Sequence, residues 1–223
     1  MESKKVLIVG GNSGVGLALA KKVGNKGGEV IIASRSALKY KDKLQSKRGL
    51  SNCQCFSVDV TVENEIKELF QQIGMIDHLV LTVKSPLIVA PFLELNAEDV
   101  RFAFETKFWG QYNFIKLAYK YIQKNGSITL SSGTLGHRPY SGYSTMSVIS
   151  GSIESLCKAL AIEISPIRIN AVCPGFKTLK EMEDKIPLGL GSDEQISNSY
   201  LFLMEDSYIT GSSIVSDGGA MLV

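Results

Sequence analysis

Four consecutive apolar residues, Val6-Leu7-Ile8-Val9, run straight into Gly10-Gly11-Asn12-Ser13-Gly14-Val15-Gly16, and Val15, Leu19 and Val23 then recur at helical spacing. A buried strand, a tight glycine turn and a helix N-terminus together make a phosphate cradle. The free N–H groups of the first helical turn point outward with the positive end of the helix dipole, and residues without Cβ let an anion approach. The spacing is Gly-x3-Gly-x-Gly, not the G-x-G-x-x-G of the common dinucleotide fingerprint. A bound nucleotide is the expectation, with a plain strand-to-helix connection as the competing reading.

The rest of the chain alternates strand and helix without repeat or linker. Strands are expected at Lys4–Val9, Glu29–Ala33, Gln54–Val58, His78–Val83, Ser127–Ser131, Ile167–Val172 and Ser213–Val215. Helices are expected from Gly14 to about Lys26, and over Ala37–Lys47, Glu63–Ile73, Ala97–Gln123, Tyr143–Ile164 and Asp193–Met204, with Pro166 stopping the fifth. Such alternation implies parallel pairing through right-handed crossovers. Apolar strands without in–out alternation imply a sheet covered on both faces. The expected fold is therefore α/β: a single-domain, Rossmann-type doubly wound parallel sheet of about seven strands over residues 1–223, with ligands at the strands' carboxyl ends.

Charge is nearly balanced, 24 basic against 22 acidic residues, which leaves no electrostatic case for nucleic acid. The basic run Lys39-Tyr40-Lys41-Asp42-Lys43 reads as a solvated helix face. No apolar run reaches the roughly 18 residues that span a bilayer, and the N-terminus enters a strand at once, so no membrane contact and a cytoplasmic location are expected. Cys53, Cys55, Cys157 and Cys173 have no metal-ligand spacing with His78 or His137 and read as reduced, partly buried thiols; no metal is expected.

Several motifs in order resemble the short-chain dehydrogenase/reductase family over nearly the whole chain. Its glycine turn matches Val9–Gly16, with Val9 where the family has threonine. Its adenine-contacting Asp-Val resembles Asp59-Val60, its Pro-Gly is Pro174-Gly175, and its C-terminal Asp-Gly-Gly is Asp217-Gly218-Gly219. The resemblance implies cofactor contacts from Gly10, Asn12, Ser13, Gly14, Val15, Gly16, Asp59, Val60, Thr82, Lys107, Pro174, Gly175 and Thr178. Thr178 stands one position early for the family's Pro-Gly-x3-Thr. Cofactor choice follows from the end of the second strand, Ala33-Ser34-Arg35-Ser36. No carboxylate stands there to accept from a ribose 2′-OH, while Arg35 offers a fork for a 2′-phosphate and Ser34 and Ser36 add donors. NADP(H) is expected.

The resemblance also implies hydride transfer between the nicotinamide and a carbonyl or alcohol carbon, with a serine, a tyrosine, a lysine and an asparagine around the reacting oxygen. Ser132 fits the serine and Tyr143 the tyrosine, with Ser131 and Tyr140 as weaker rivals. The lysine is missing: Tyr-x3-Lys reads Tyr143-Ser144-Thr145-Met146-Ser147. Moving a tyrosine from about 10 to about 7 takes roughly 4 kcal/mol, which a serine cannot supply. Lys107 falls on the asparagine position, in a Lys107-Phe108-Trp109-Gly110 segment similar to one in an atypical subgroup of the family. A unit charge ~4 Å from a phenolate is worth about 4 kcal/mol at an effective dielectric of 20. Lys107 is thus expected to replace the lysine, reaching Tyr143 or the cofactor ribose; a lysine snorkelling to solvent is the alternative.

Leu81-Thr82-Val83-Lys84 replaces the family's Asn-Asn-Ala-Gly, leaving Lys84 to face an anion or solvent. A short lid near 177–191 implies an open pocket, with Val83, Ser85, Leu87, Thr134, His137, Cys173 and Phe176 as walls; His137 reads as a loop histidine or an aid to proton transfer. An NADP(H)-dependent oxidoreductase is expected. The competing functions are an NADP(H)-binding protein without redox turnover and an isomerase or dehydratase on the same site. The aromatic fourth helix and the fifth resemble the family's packing helices, so a homodimer or homotetramer is expected.

Overall fold

The computed structural model describes residues 1–177 and 180–223. Seven strands, β1 (Lys5–Val9), β2 (Glu29–Ala33), β3 (Gln54–Phe56), β4 (Ile76–Leu81), β5 (Ile122–Ser131), β6 (Arg168–Pro174) and β7 (Ser213–Ser216), form one sheet in the order β3-β2-β1-β4-β5-β6-β7. Every pairing is parallel. Alternate residues of β1 serve opposite cores. Leu7 and Val9 join the layer beneath α3 (Glu63–Ile73), α5 (Gly110–Ala118) and α6 (Ser144–Glu163). Val6 and Ile8 join the layer beneath α1 (Gly14–Asn25), α2 (Lys41–Gln45) and α7 (Asp193–Glu205). The expected doubly wound fold is the observed one. The order of neighbours reverses beside β1, so the crevice outside the carboxyl ends of β1 and β4 is where such a sheet takes a ligand.

Strands β3 and β4 end two residues before their expected bounds, and three further elements differ more from the sequence expectation. The helix expected over Ala97–Gln123 is α4 (Ala97–Phe104), a π-helical turn at Glu105–Trp109, α5, and one 3-10 turn at Tyr119–Tyr121. Strand β5 then begins at Ile122, before Asn125-Gly126, because Ile122 pairs with Ile76 and the register shifts between Ile76 and His78. A Cβ on Gly126 would stand 2.3 Å from the Asp77 carbonyl, so the glycine serves a close strand crossing instead of the turn read from its sequence. The helix expected over Ala37–Lys47 shortens to a 3-10 turn at Leu38–Tyr40 and α2, in which Leu44 alone is buried. One apolar anchor does not hold three helical turns.

Helix α6 is long and apolar enough to cross a bilayer, a length the apolar-run reading did not register. Here it lies on the sheet, burying Ile149, Ile153 and Cys157 in the layer shared with α3 and α5. Phe70 of α3 meets Phe114 edge-on at 5.8 Å and stacks on Tyr121 at 4.9 Å, which locks the α3–α5 pair. All four cysteines are free and buried.

Candidate active site

The glycine turn does what its spacing requires. Gly10 has φ +83° and Gly14 φ +56°, the left-handed region where a side chain is strained. A Cβ on Gly16 would sit 2.6 Å from both the Gly10 carbonyl and Thr82 Oγ1. Thr82 fills that space because its hydroxyl donates to the Val9 carbonyl at 2.7 Å, tying the ends of β1 and β4. Val15 and Gly16 are buried in the first turn of α1.

Beside the turn lies a cavity of about 310 Å³. Gly10, Asn12 and Ser13 from the turn line it, with Ser34, Arg35 and Ser36 after β2, Asp59 and Val60 after β3, and Thr82 and Lys84 after β4. Asn12 Nδ2 donates to Ser36 Oγ at 3.0 Å, joining two of these segments. Arg35 is exposed and makes no ion pair among the described residues. The Asp59 carboxylate accepts from the Thr61 amide and hydroxyl at 2.9 and 2.8 Å, so it caps its own turn. Lys84 Nζ lies 2.9 Å from where a Gly14 Cβ would be, over the N-terminus of α1, with the Asp193 carboxylate near the same point. A free guanidinium, hydroxyl donors and a cradle that a Cβ would block fit a dinucleotide carrying an extra ribose phosphate.

A second cluster lies at the ends of β5 and β6. The π-helical turn carries Lys107, whose ammonium donates to the Ser132 carbonyl at 3.1 Å. Buried Gln111 sets that contact: its amide donates to the Lys107 carbonyl at 2.8 Å and the Ser131 carbonyl at 3.2 Å. Its own carbonyl accepts from the Ser131 amide at 3.0 Å. An extra residue in the turn and a side chain clamped to β5 together aim the lysine at the strand end. Burial lowers the Lys107 pKa to about 8. Gln111→Leu is expected to strand the Ser131 amide and lower stability by about 1–3 kcal/mol; a urea titration measures this, and an unshifted midpoint would remove Gln111 from the clamp.

Ser132 is buried, and its hydroxyl donates to Glu154 Oε1 at 2.8 Å, with the Ser150 carbonyl also in reach at 3.1 Å. His137 Nε2 meets Glu154 Oε2 at 2.7 Å. Cys173 stands close enough that ligand atoms of His137, Glu154 and Cys173 lie within 4.8 Å of one another. The Cys173 thiol is pushed up to about 12, first by burial and then by Glu154. Tyr143 precedes α6 and packs edge-on against Phe176 at 6.3 Å. The buried Ser147 hydroxyl has no hydrogen-bond partner among the described residues.

The sequence-derived residues therefore fall into two groups. Gly10, Asn12, Ser13, Ser34, Arg35, Ser36, Asp59, Val60 and Thr82 share one cavity, while Lys107 and Ser132 meet at the other cluster. Lys107 reaches the Ser132 carbonyl, not Tyr143. Pro174 and Gly175 lead out of β6, and a Cβ on Gly175 would strike Asp217 at 2.7 Å, so the Pro-Gly and Asp-Gly-Gly motifs pack on each other. Thr178 lies outside the described residues. Glu154 and Gln111 were not singled out from the sequence; the available signal was a polar side chain on the buried face of an otherwise apolar helix.

The family model described as Enoyl-(Acyl carrier protein) reductase matches residues 9–221. Carbonyl reductase family member 4 of Xenopus laevis is 33% identical, over 99% of this chain and 99% of that protein. Short-chain dehydrogenase/reductase ATR9 of Stachybotrys chlorohalonatus is 29% identical, over 100% and 98%. Among solved structures, a small-chain dehydrogenase in complex with NADPH superposes with a TM-score of 0.84 at 28% identity, each chain covered in full.

Proposed function

The chain belongs to the short-chain dehydrogenase/reductase family, and from that premise we propose that it is an NADP(H)-dependent oxidoreductase of a small alcohol or carbonyl compound. The observation that carries the reading is Arg35, exposed and without an ion pair among the described residues, between Ser34 and Ser36 in the cavity that also holds the glycine turn. Arg35, Ser34 and Ser36 would hold the 2′-phosphate, and Gly10, Asn12, Ser13 and Gly14 the diphosphate, with Lys84 adding charge. Asp59 and Val60 would flank the adenine, and Pro174 and Gly175 would line the nicotinamide end. A relative solved with NADPH supports the same cofactor.

When bound, the dinucleotide supplies or accepts the hydride. The protein's part is to hold the reacting oxygen against Ser132 and Lys107, where the ammonium stabilises negative charge on it. Tyr143, beside Phe176 and with Ser147 where the family has its lysine, would carry the proton of the reacting oxygen, with Lys107 as the nearby cation. Tyr143→Phe is accordingly expected to lose about a hundredfold in turnover, the scale of a missing acid–base group; a variant that keeps most of the wild-type turnover would remove the tyrosine from that role.

Fluorescence titration with NADPH and NADH, followed by turnover of a panel of ketones and secondary alcohols, tests the function. Absence of NADPH binding would overturn it. Binding without turnover would favour a non-redox NADP(H) sensor, a reading supported by Ser147 standing where the family has its lysine. We further propose a homodimer or homotetramer built on the exposed Phe102, Trp109, Val148 and Ile162, with gel filtration as the test, and a cytoplasmic location, in keeping with four free thiols.

A further inference from the structure

We propose that His137, Glu154 and Cys173 form a binding site for one divalent transition-metal ion, Zn²⁺ by the chemistry of its donors, and that the bound ion blocks the place of the reacting oxygen beside Ser132. The site itself stands apart from the oxidoreductase reading; the blocking rests on it.

No spacing in the chain announces these three ligands, because each comes from a different element. Strand β6 brings the thiol: Ile169 and Ala171 face the layer beneath α6, and Cys173, two residues on, faces the same way. Helix α6 brings the carboxylate, buried on a face otherwise packed by Ile149, Ile153 and Cys157. The imidazole follows the 3-10 turn Thr134–Gly136 after β5. Gly136 lets that turn come close, since a Cβ there would stand 2.8 Å from Glu154 Oε1 and 3.1 Å from the Gly151 amide nitrogen. A nitrogen, an oxygen and a sulfur thereby lie within 4.8 Å of one another.

The charge around Glu154 is the second observation. The residue is 7% exposed, and burying a carboxylate is costly unless a cation stands beside it. Among the described residues no lysine or arginine pairs with it. Its ion-pair partner is His137, which is charged only when protonated, and the Ser132 hydroxyl and Cys173 thiol that also reach it are neutral. A divalent ion supplies the charge that this carboxylate lacks.

Ligand chemistry selects the ion. Mg²⁺ and Ca²⁺ take oxygen donors, whereas thiolate, imidazole and carboxylate on one ion suit Zn²⁺. Tetrahedral Zn²⁺ sets such donors roughly 3.4–3.6 Å apart, so the 2.7 Å contact between His137 and Glu154 widens as the thiol moves in. His137, one-third exposed, is the route of entry and the ligand freest to shift. On binding, Cys173 gives its S–H proton to solvent and its sulfur takes the metal bond; no electron changes hands. Three protein ligands leave a fourth position. Ser132 hydrogen-bonds to two of the three ligand side chains, so that position lies beside its hydroxyl, where the reacting oxygen would be held.

Reduced, metal-free protein is titrated with Co²⁺, whose visible bands report tetrahedral geometry and whose near-ultraviolet band reports a bound thiolate, and then with Zn²⁺ in competition. Wild type is expected to bind one equivalent with both signatures. His137→Gln, Glu154→Gln and Cys173→Ser should each weaken Zn²⁺ binding by more than about 100-fold, since removing even an outer partner of a ligand costs about 10–100-fold. Cys173→Ser should also abolish the thiolate band. Cys53→Ser, which removes one of two thiols 3.9 Å apart elsewhere in the fold, should bind as wild type does. Absence of binding by wild type overturns the site, as does wild-type affinity in any of the three ligand variants, or loss of the thiolate band with Cys53→Ser. If the buried variants misfold, His137→Gln, altered at a partly exposed side chain, decides alone. Zn²⁺ is also expected to suppress NADPH-dependent turnover in proportion to occupancy, reversed by a chelator. Turnover untouched at full occupancy overturns the blocking. If wild type binds the metal but turns over no carbonyl compound or alcohol, the oxidoreductase reading falls, the blocking falls with it, and the site stands.

Discussion

Lys107→Met is expected to lose turnover by about two to three orders of magnitude at pH 7 while unfolding at a higher temperature than wild type. The activity loss follows from removing a unit charge beside the reacting oxygen, worth about 4 kcal/mol at ~4 Å and an effective dielectric of 20. The stability gain follows from linkage. Burial lowers the Lys107 pKa from 10.5 to about 8, so the folded state binds this proton less tightly than the unfolded chain. Below pH 8 both states are protonated and folding bears the full cost of burying the charge. Between about pH 8 and 10.5 the unfolded state binds more protons, and wild-type stability rises with pH across that window.

At pH 7 the cost is on the order of 3 kcal/mol, reduced in practice by the hydrogen bond to Ser132 that methionine cannot make. Thermal melts of both proteins from pH 6 to 10.5 check the sign: the variant should lead at pH 7, and its lead should shrink above pH 8. A variant that melts lower throughout would show that the lysine is stabilising and structural. Turnover of the wild type should fall as pH rises through about 8, where the cation is lost. A site that keeps a destabilising charge is one where activity and stability are traded against each other.

The second large effect concerns the cofactor. Arg35→Asp is expected to weaken NADPH binding by about 100-fold and to strengthen NADH binding, reversing the preference. Hydrogen bonds to charged groups contribute about 1.5–3 kcal/mol each, and the carboxylate adds repulsion toward the 2′-phosphate while offering an acceptor to a 2′-OH. Because Arg35 is exposed and unpaired among the described residues, the substitution should leave the melting temperature unchanged within about 1 kcal/mol of stability. Titration with the two reduced cofactors gives the answer; equal affinity of wild type for both would show that Arg35 does not choose between them.

Most of the fold and much of the lining of the cavity beside the glycine turn were legible in the chain because they rest on local chemistry. The glycine turn, the β2 end at Ser34-Arg35-Ser36 and the Asp59-Val60 corner each stand out within a few residues. Parallel crossovers then bring them together without further choice. The helix over Ala97–Gln123 was misread because apolar spacing continues through Glu105–Trp109, and nothing in that pattern distinguishes a π-helical turn from an α-helical one. The break is decided by Gln111, which bonds to Ser131 across the fold.

The chemistry of the site was legible only in its residue types. From the sequence alone a serine and a tyrosine are expected at the end of β5 and in the loop before α6, and an out-of-place lysine within the helix between β4 and β5. Which of their atoms meet was decided by tertiary structure. Lys107 goes to the Ser132 carbonyl, not to Tyr143. The Ser132 proton goes to Glu154, 22 residues away on another element, and His137 closes the pair from a loop. The reason is physical: buried polar groups must find partners, and partners drawn from β5, α6 and β6 become neighbours only once the sheet has formed.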